Sequence, residues 1–130
     1  MKAIDTNLLV RIVLNDQPDQ VRAAIEILRG EVLVTSTVLL ELIWVLQSNG
    51  KLSREAISLA IQRLSSIPTL TIVSGEACAE FLRLWAAGLE AEDAAHLAFV
   101  GDVDAFVTFD RAFAKRANKA KARVTVELAG

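Results

Sequence analysis

Short apolar runs alternate along the chain with longer segments in which apolar residues recur at helical spacing. Lys2 to Ile4 predicts a short buried strand, and Asn7 to Leu14 a helix behind it. Pro18 predicts the start of a second helix that runs to about Leu28 and stops at Gly30. Within Glu31 to Thr35, the run Val32-Leu33-Val34 predicts a second strand. Ser36 or Thr37 is expected to cap the next helix, which carries Val38 to Leu46 and ends near Gly50. Ser53-Arg54-Glu55-Ala56 opens a further helix lasting to about Ser65. Leu70 to Val73 is the third predicted strand. Glu76 to Ala87 follows as a helix with Gly88 as its stop, and Glu92 to Val100 as another, ended by Gly101. Ala105 to Phe109 is the fourth strand, Asp110 opens the last helix, and Val124-Thr125-Val126 suits a short edge strand.

Strands that alternate with helices of this length imply right-handed crossovers and a mostly parallel sheet, hence an α/β fold. In such sheets the binding crevice lies beyond the carboxyl ends of the strands, which says where chemistry is to be sought. With 130 residues, no repeat and no linker, the chain is expected to form a single domain over residues 1–130.

Composition narrows the class. The apolar share of 53% excludes a disordered chain. The longest apolar segment, Val38 to Leu46, is broken by Glu41, so no membrane span is expected. The first residues have neither the length nor the cleavage pattern of a signal peptide. One cysteine, Cys78, rules out an intrachain disulfide and a multi-cysteine zinc site. It is expected to be a buried structural thiol in a reducing cytoplasm. The net charge of -2 argues against a generic nucleic-acid coat. Yet Arg111, Lys115, Arg116, Lys119, Lys121 and Arg123 crowd one segment, with no acid between Arg111 and Arg123. Such a patch either steers a polyanion or merely solvates a helix face and tail.

Four acids carry the candidate chemistry. Asp5 and Asp110 each follow an apolar strand directly, where either could also cap the next helix. Glu41 has Val38, Trp44 and Val45 as helical neighbours and is expected to be partly desolvated, hence paired, protonated or metal-bound. Asp93 stands at a helix start, a position the helix dipole favours in any case. Together the four could converge on one sheet edge, where a divalent cation would offset their mutual repulsion. All-oxygen donors point to magnesium or manganese rather than zinc. A single histidine excludes a histidine-rich site, and His96 is expected in a core or hydrogen-bonded role. Hydrolysis of a phosphodiester fits such a cluster.

The segments Ile4-Asp5-Thr6-Asn7, Leu40-Glu41-Leu42, Glu92-Asp93-Ala94 and Thr108-Phe109-Asp110-Arg111 resemble the PIN domain, and more narrowly the VapC toxins of bacterial type II toxin–antitoxin pairs. The order, spacing and chain length fit from end to end. The resemblance implies a three-layer α/β/α sandwich with a mostly parallel central sheet. It also implies a magnesium- or manganese-dependent endoribonuclease. Asp5, Glu41 and Asp93 would then be the acidic ligands and Asp110 a fourth, more variable one. Thr6, Asn7 and Thr108 would orient ligands or water, and Arg111, Lys115, Arg116, Lys119 and Lys121 are candidates for RNA contact. It further implies a homodimer and a VapB-like antitoxin whose C-terminal segment covers the acidic site.

Three other readings compete. An Asp-dependent phosphatase usually wants a second acid two residues after the first, but position 7 is Asn. A phospho-accepting receiver domain would need an acid after a middle strand, where this chain has Thr35-Ser36-Thr37 and Ser74-Gly75. A catalytically silent PIN-like binding module is compatible with every residue named.

Overall fold

The computed structural model describes residues 1–130 and contains seven helices and five strands, every strand pair parallel. The α/β class is as expected. The chain divides into two compact units, Met1–Val73 and Ser74–Gly130. No helix is long and apolar enough to cross a membrane.

In the first unit the order is β1 (Lys2–Ala3), α1 (Thr6–Leu14), α2 (Pro18–Leu28), β2 (Val32–Val34), α3 (Ser36–Ser48), α4 (Arg54–Ser65) and β3 (Leu70–Ile72). The sheet order is β1-β2-β3, with Ala3 opposite Leu33 and Leu33 opposite Thr71. Helix α1 packs on α2 and α3, and α3 packs on α4. The core is built from Leu9, Val10, Val32, Leu39, Leu42, Ile43, Leu46, Ile57 and Ile61. Each side chain of this size contributes roughly 1.5–3 kcal/mol when removed from water. At Gly50 the chain passes so close to α3 that an added Cβ would lie 3.0 Å from the Leu46 carbonyl oxygen. A side chain at this position would need the Leu46 carbonyl to give way by a few tenths of an ångström.

The second unit runs α5 (Gly75–Ala86), α6 (Ala91–Ala98), β4 (Phe106–Thr108), α7 (Arg111–Lys119) and β5 (Val126–Leu128). Strand β4 pairs with β5, Phe106 opposite Val126. Helix α5 packs on α6, and α7 on β5. Phe81, Leu84, Trp85, Leu89, Leu97 and Phe113 are buried. Gly88 follows α5 at φ 109°, a left-handed backbone that suits glycine and stops the helix as expected.

Three local expectations are corrected. The cap of α3 is Thr35, whose hydroxyl accepts from the Val38 N–H at 3.5 Å, rather than Ser36 or Thr37. The last strand, Val126–Leu128, is shifted two residues along from the expected Val124–Val126 and shares only Val126 with it. His96 is exposed, its ring stacked on Phe106 with centroids 6.1 Å apart, and so is not a core residue. Cys78 is buried as expected, and burial pushes its thiol pKa up, which keeps it inert.

Candidate functional site

In the first unit, β1 and β2 are neighbours in register, and the Ile4 N–H continues the ladder to the Leu33 carbonyl at 3.1 Å. That register sets Asp5 beside Thr35 at the carboxyl edge of the sheet. Each residue is the N-cap of the helix that follows, so two helix N-termini meet the same edge. Asp5 Oδ1 accepts from the Thr6 N–H at 2.8 Å, and its second oxygen is free for another partner. Thr6 is 1% exposed, yet no protein group hydrogen-bonds its hydroxyl. A buried, unanswered hydroxyl is costly and suits a site that orders further oxygen atoms.

Glu41 stands on the second turn of α3 and is exposed. The expected desolvation does not occur. Leu39, Leu42, Ile43 and Leu46 take the buried face of α3, while Thr37, Glu41, Trp44 and Ser48 share the outer one. Trp44, whose apolar character prompted the expectation, is itself 57% exposed. Between α1 and α2 lies a cleft of about 400 Å³, lined by Asn7, Arg11 and Gln20 and by Leu8, Ala23, Ala24 and Ile27.

In the second unit, Asp110 again stands at the carboxyl end of a strand and caps a helix. Its Oδ1 accepts from the Phe113 N–H at 2.9 Å, while the Thr108 hydroxyl accepts from the Asp110 N–H at 3.0 Å and fixes the turn. Asp93 lies in the first turn of α6, half-buried, with Oδ2 3.6 Å from Arg116 of α7. Arg111, Lys115 and Lys119 follow one another at four-residue spacing on α7, and all three are exposed, as are Arg116 and Lys121. Phe113, Ala114 and Ala117 form the opposite, buried face.

Within neither unit do three acidic, histidine or cysteine side chains converge. Asp5 and Glu41 belong to the first unit, Asp93 and Asp110 to the second. The donor chemistry nevertheless suits a hard divalent cation. Asp5, Asp93 and Asp110 each spend one oxygen on a protein partner and keep another, and Glu41 is exposed.

The most heavily engaged carboxylate is one that sequence reasoning passed over. Glu80 on α5 is 4% exposed. Arg83 donates to it through Nε at 2.7 Å and Nη2 at 3.1 Å, and the Arg123 backbone N–H adds a bond of 2.8 Å. Arg83 also donates to the carbonyls of Ala120 at 2.7 Å and Lys121 at 2.9 Å. Burial works to raise the Glu80 pKa. The bonds from Arg83 and Arg123 and their positive charges outweigh it and hold the carboxyl below the ordinary value of 4.5. The signal was present as Glu-x-x-Arg on an apolar helix, but the partner at Arg123 is 43 residues away.

No curated protein matches the chain. A family model does: that of the PIN domain, over residues 2–119. PIN domains are generally nucleases and typically bind divalent metal ions. With most of the sequence matched and an acid at the carboxyl end of both β1 and β4, the chain belongs to the PIN domain family.

Proposed function

We propose that the protein is a metal-dependent endoribonuclease, the toxin of a toxin–antitoxin pair, in which residues 1–130 serve as one nuclease domain. The observation that carries the reading is the pair of exposed aspartates, Asp5 and Asp110, each at a strand's carboxyl end with an oxygen to spare, in a chain of a nuclease family. A single family match that spans both units supports treating them as one domain.

Asp5, Glu41, Asp93 and Asp110 would hold magnesium or manganese. A bound cation of this kind lowers the pKa of a coordinated water and offsets charge on the phosphate. The protein's own groups do the rest. The Thr6 backbone N–H holds the Asp5 carboxylate, Asn7 lines the α1–α2 cleft, and Thr108 fixes the turn that presents Asp110. Arg111, Lys115, Arg116, Lys119 and Lys121 attract the RNA backbone without reading its sequence.

A homodimer in the cytoplasm, neutralised by a VapB-like antitoxin, completes the proposal. The α1–α2 cleft supports the antitoxin, because it joins an apolar floor to Arg11 and Asn7 as a peptide partner would require. The lone buried thiol supports a reducing compartment.

One observation favours a second reading, a silent binding module: Arg116 already neutralises Asp93 at 3.6 Å. The separating experiment is cleavage of single-stranded RNA by the full chain with Mg²⁺ or Mn²⁺, with and without EDTA. Cleavage that stops on chelation and returns with metal is expected. Cleavage that survives chelation overturns the mechanism, and RNA binding without cleavage at any metal concentration favours the silent module.

A further inference from the structure

Two acids of the second unit, Glu80 and Asp93, each face an arginine, and the two pairs differ in kind. Arg83 grips Glu80 through Nε at 2.7 Å and Nη2 at 3.1 Å, and that carboxylate is buried. Arg116 reaches Asp93 through Nη2 alone, at 3.6 Å, beyond hydrogen-bonding distance. Their side chains are 46% and 30% exposed. Water screens such a pair, so it neutralises the carboxylate without fastening it. The lone pairs of Asp93 stay open to a harder, doubly charged partner.

The Arg116 side chain also borders a cavity of about 340 Å³, shared with Lys119 of α7 and with Ala87, Gly88, Leu89 and Ala120. Arg116 and Lys119 are one helical turn apart, so two like charges face one space. No acid lines it. The ends of α5 and α7 meet this cavity, but their carbonyls are already engaged. Those of Arg83, Leu84 and Trp85 accept from the N–H groups of Ala87, Leu89 and Gly88, and that of Ala120 accepts from Arg83 at 2.7 Å. What remains is a pair of cations above an apolar floor, a setting that suits a phosphate. Arg116 thus has an acid on one side and a cationic cavity on the other.

We propose that Arg116 exchanges partners on binding. It neutralises Asp93 while the divalent cation is absent, and the cation releases it to hold a phosphate of the RNA beside Lys119. The inference rests on the ribonuclease reading and adds coupling to it. Metal and RNA each favour the state in which Arg116 has left Asp93, so each strengthens binding of the other. The ion pair that speaks for a silent module is then the resting state of an active one. Arg116 is a binding residue here, not a catalytic one.

The test uses the full chain and two binding measurements, neither of which reads turnover. In the first, Mn²⁺ is titrated calorimetrically into wild type, Arg116→Gln and Lys119→Gln without RNA. Arg116→Gln should bind Mn²⁺ about two- to fivefold more tightly, the factor an exposed ion pair is worth, and Lys119→Gln should gain less. In the second, a short single-stranded RNA is titrated in EDTA at several salt concentrations. Asp93→Asn sets Arg116 free without metal. It should steepen the fall of log affinity with log salt by about 0.7, the mark of one added phosphate contact. The same change in an Arg116→Gln background should leave the slope as it was. Wild-type Mn²⁺ affinity in Arg116→Gln, or an equal gain in Lys119→Gln, overturns the exchange. So does a slope that Asp93→Asn steepens equally in both backgrounds, or in neither. If wild type cleaves RNA with Mn²⁺ and only these comparisons fail, the exchange falls alone. If wild type binds no Mn²⁺ and cleaves no RNA, the ribonuclease reading falls with it.

Discussion

Glu41 and Glu80 each interrupt an apolar helix, and the two meet opposite fates. Glu41 has apolar residues on every side in the sequence, yet stands on the outer face of α3 in contact with solvent. Glu80 lies among alanines and aromatics on α5 and is buried, held by two arginines and a backbone N–H. The contrast shows that apolar neighbours do not bury an acid; the helix face does. Apolar residues such as Trp44 are common on surfaces, so they are weak witnesses to burial. It also shows two uses for a carboxylate. One is fully committed to the fold, and the other remains available to a ligand.

The largest expected effect breaks the comparison on the functional side. Glu41→Gln and Asp5→Asn should each reduce metal-dependent RNA cleavage to background while the denaturation midpoint stays within error of wild type. Paired activity and denaturation curves check this. Wild-type turnover by both variants would remove these acids from the site.

Glu80→Gln should show the reverse pattern. It leaves Arg83 and Arg123 short of their shared acceptor and should lower stability by about 1–3 kcal/mol, since both arginines remain partly in water. Cleavage per folded molecule should persist. Urea unfolding read beside activity separates the two effects. A loss of activity at full stability would make Glu80 part of the chemistry.

Asp110→Asn tests an acid of the intermediate kind, both cap and candidate ligand. Asparagine caps about as well as aspartate, so stability should fall by no more than a few tenths of a kcal/mol. If the carboxylate helps to hold the cation, the Mn²⁺ concentration needed for half-maximal cleavage should rise roughly 10- to 100-fold. Superimposable titrations would reduce Asp110 to a cap.

The smallest effect sharpens the role of Glu80 through pH. Its pKa lies below 4.5 in the folded protein, so the folded state binds that proton less readily than the unfolded one. The resulting stability is complete above 4.5 and is lost as pH falls through the lowered folded value. Wild type should therefore lose more stability than Glu80→Gln between pH 6 and pH 3, measured by urea midpoints. Parallel losses would show that other carboxylates set the acid limit.

The element order was legible because each strand is a short apolar run and each helix carries its own start and stop signal. Asp5 and Asp110 were legible for the same local reason: an acid between a strand and a helix is visible as a junction. What escaped the sequence was settled by distant partners. The final strand sits at Val126–Leu128 in register with Phe106–Thr108, and the chain before it is tied by Glu80 to Arg123 across 43 residues, with Lys121 at φ 54°. Propensity within Val124-Thr125-Val126 contains none of that. The sequence likewise nominated Asp93 without showing that Arg116 already stands beside it. The desolvation expected of Glu41 failed, since burial depends on helix phase rather than on neighbours in the chain.

The arginine that satisfies Glu80 also holds the chain after α7 by two carbonyls, at Ala120 and Lys121. Lys121 and Arg123 would otherwise be attractive sites for trypsin, being basic, exposed and outside regular structure. A protease must draw its target into an extended strand, and here that means first releasing Arg83 and Glu80 together. Cutting after these residues should therefore follow the opening of α5 rather than the accessibility of the peptide bonds. The same fastening should slow amide hydrogen exchange at Arg123, whose N–H is held by Glu80, so one ion pair in the second unit is expected to set how readily its basic end is cut.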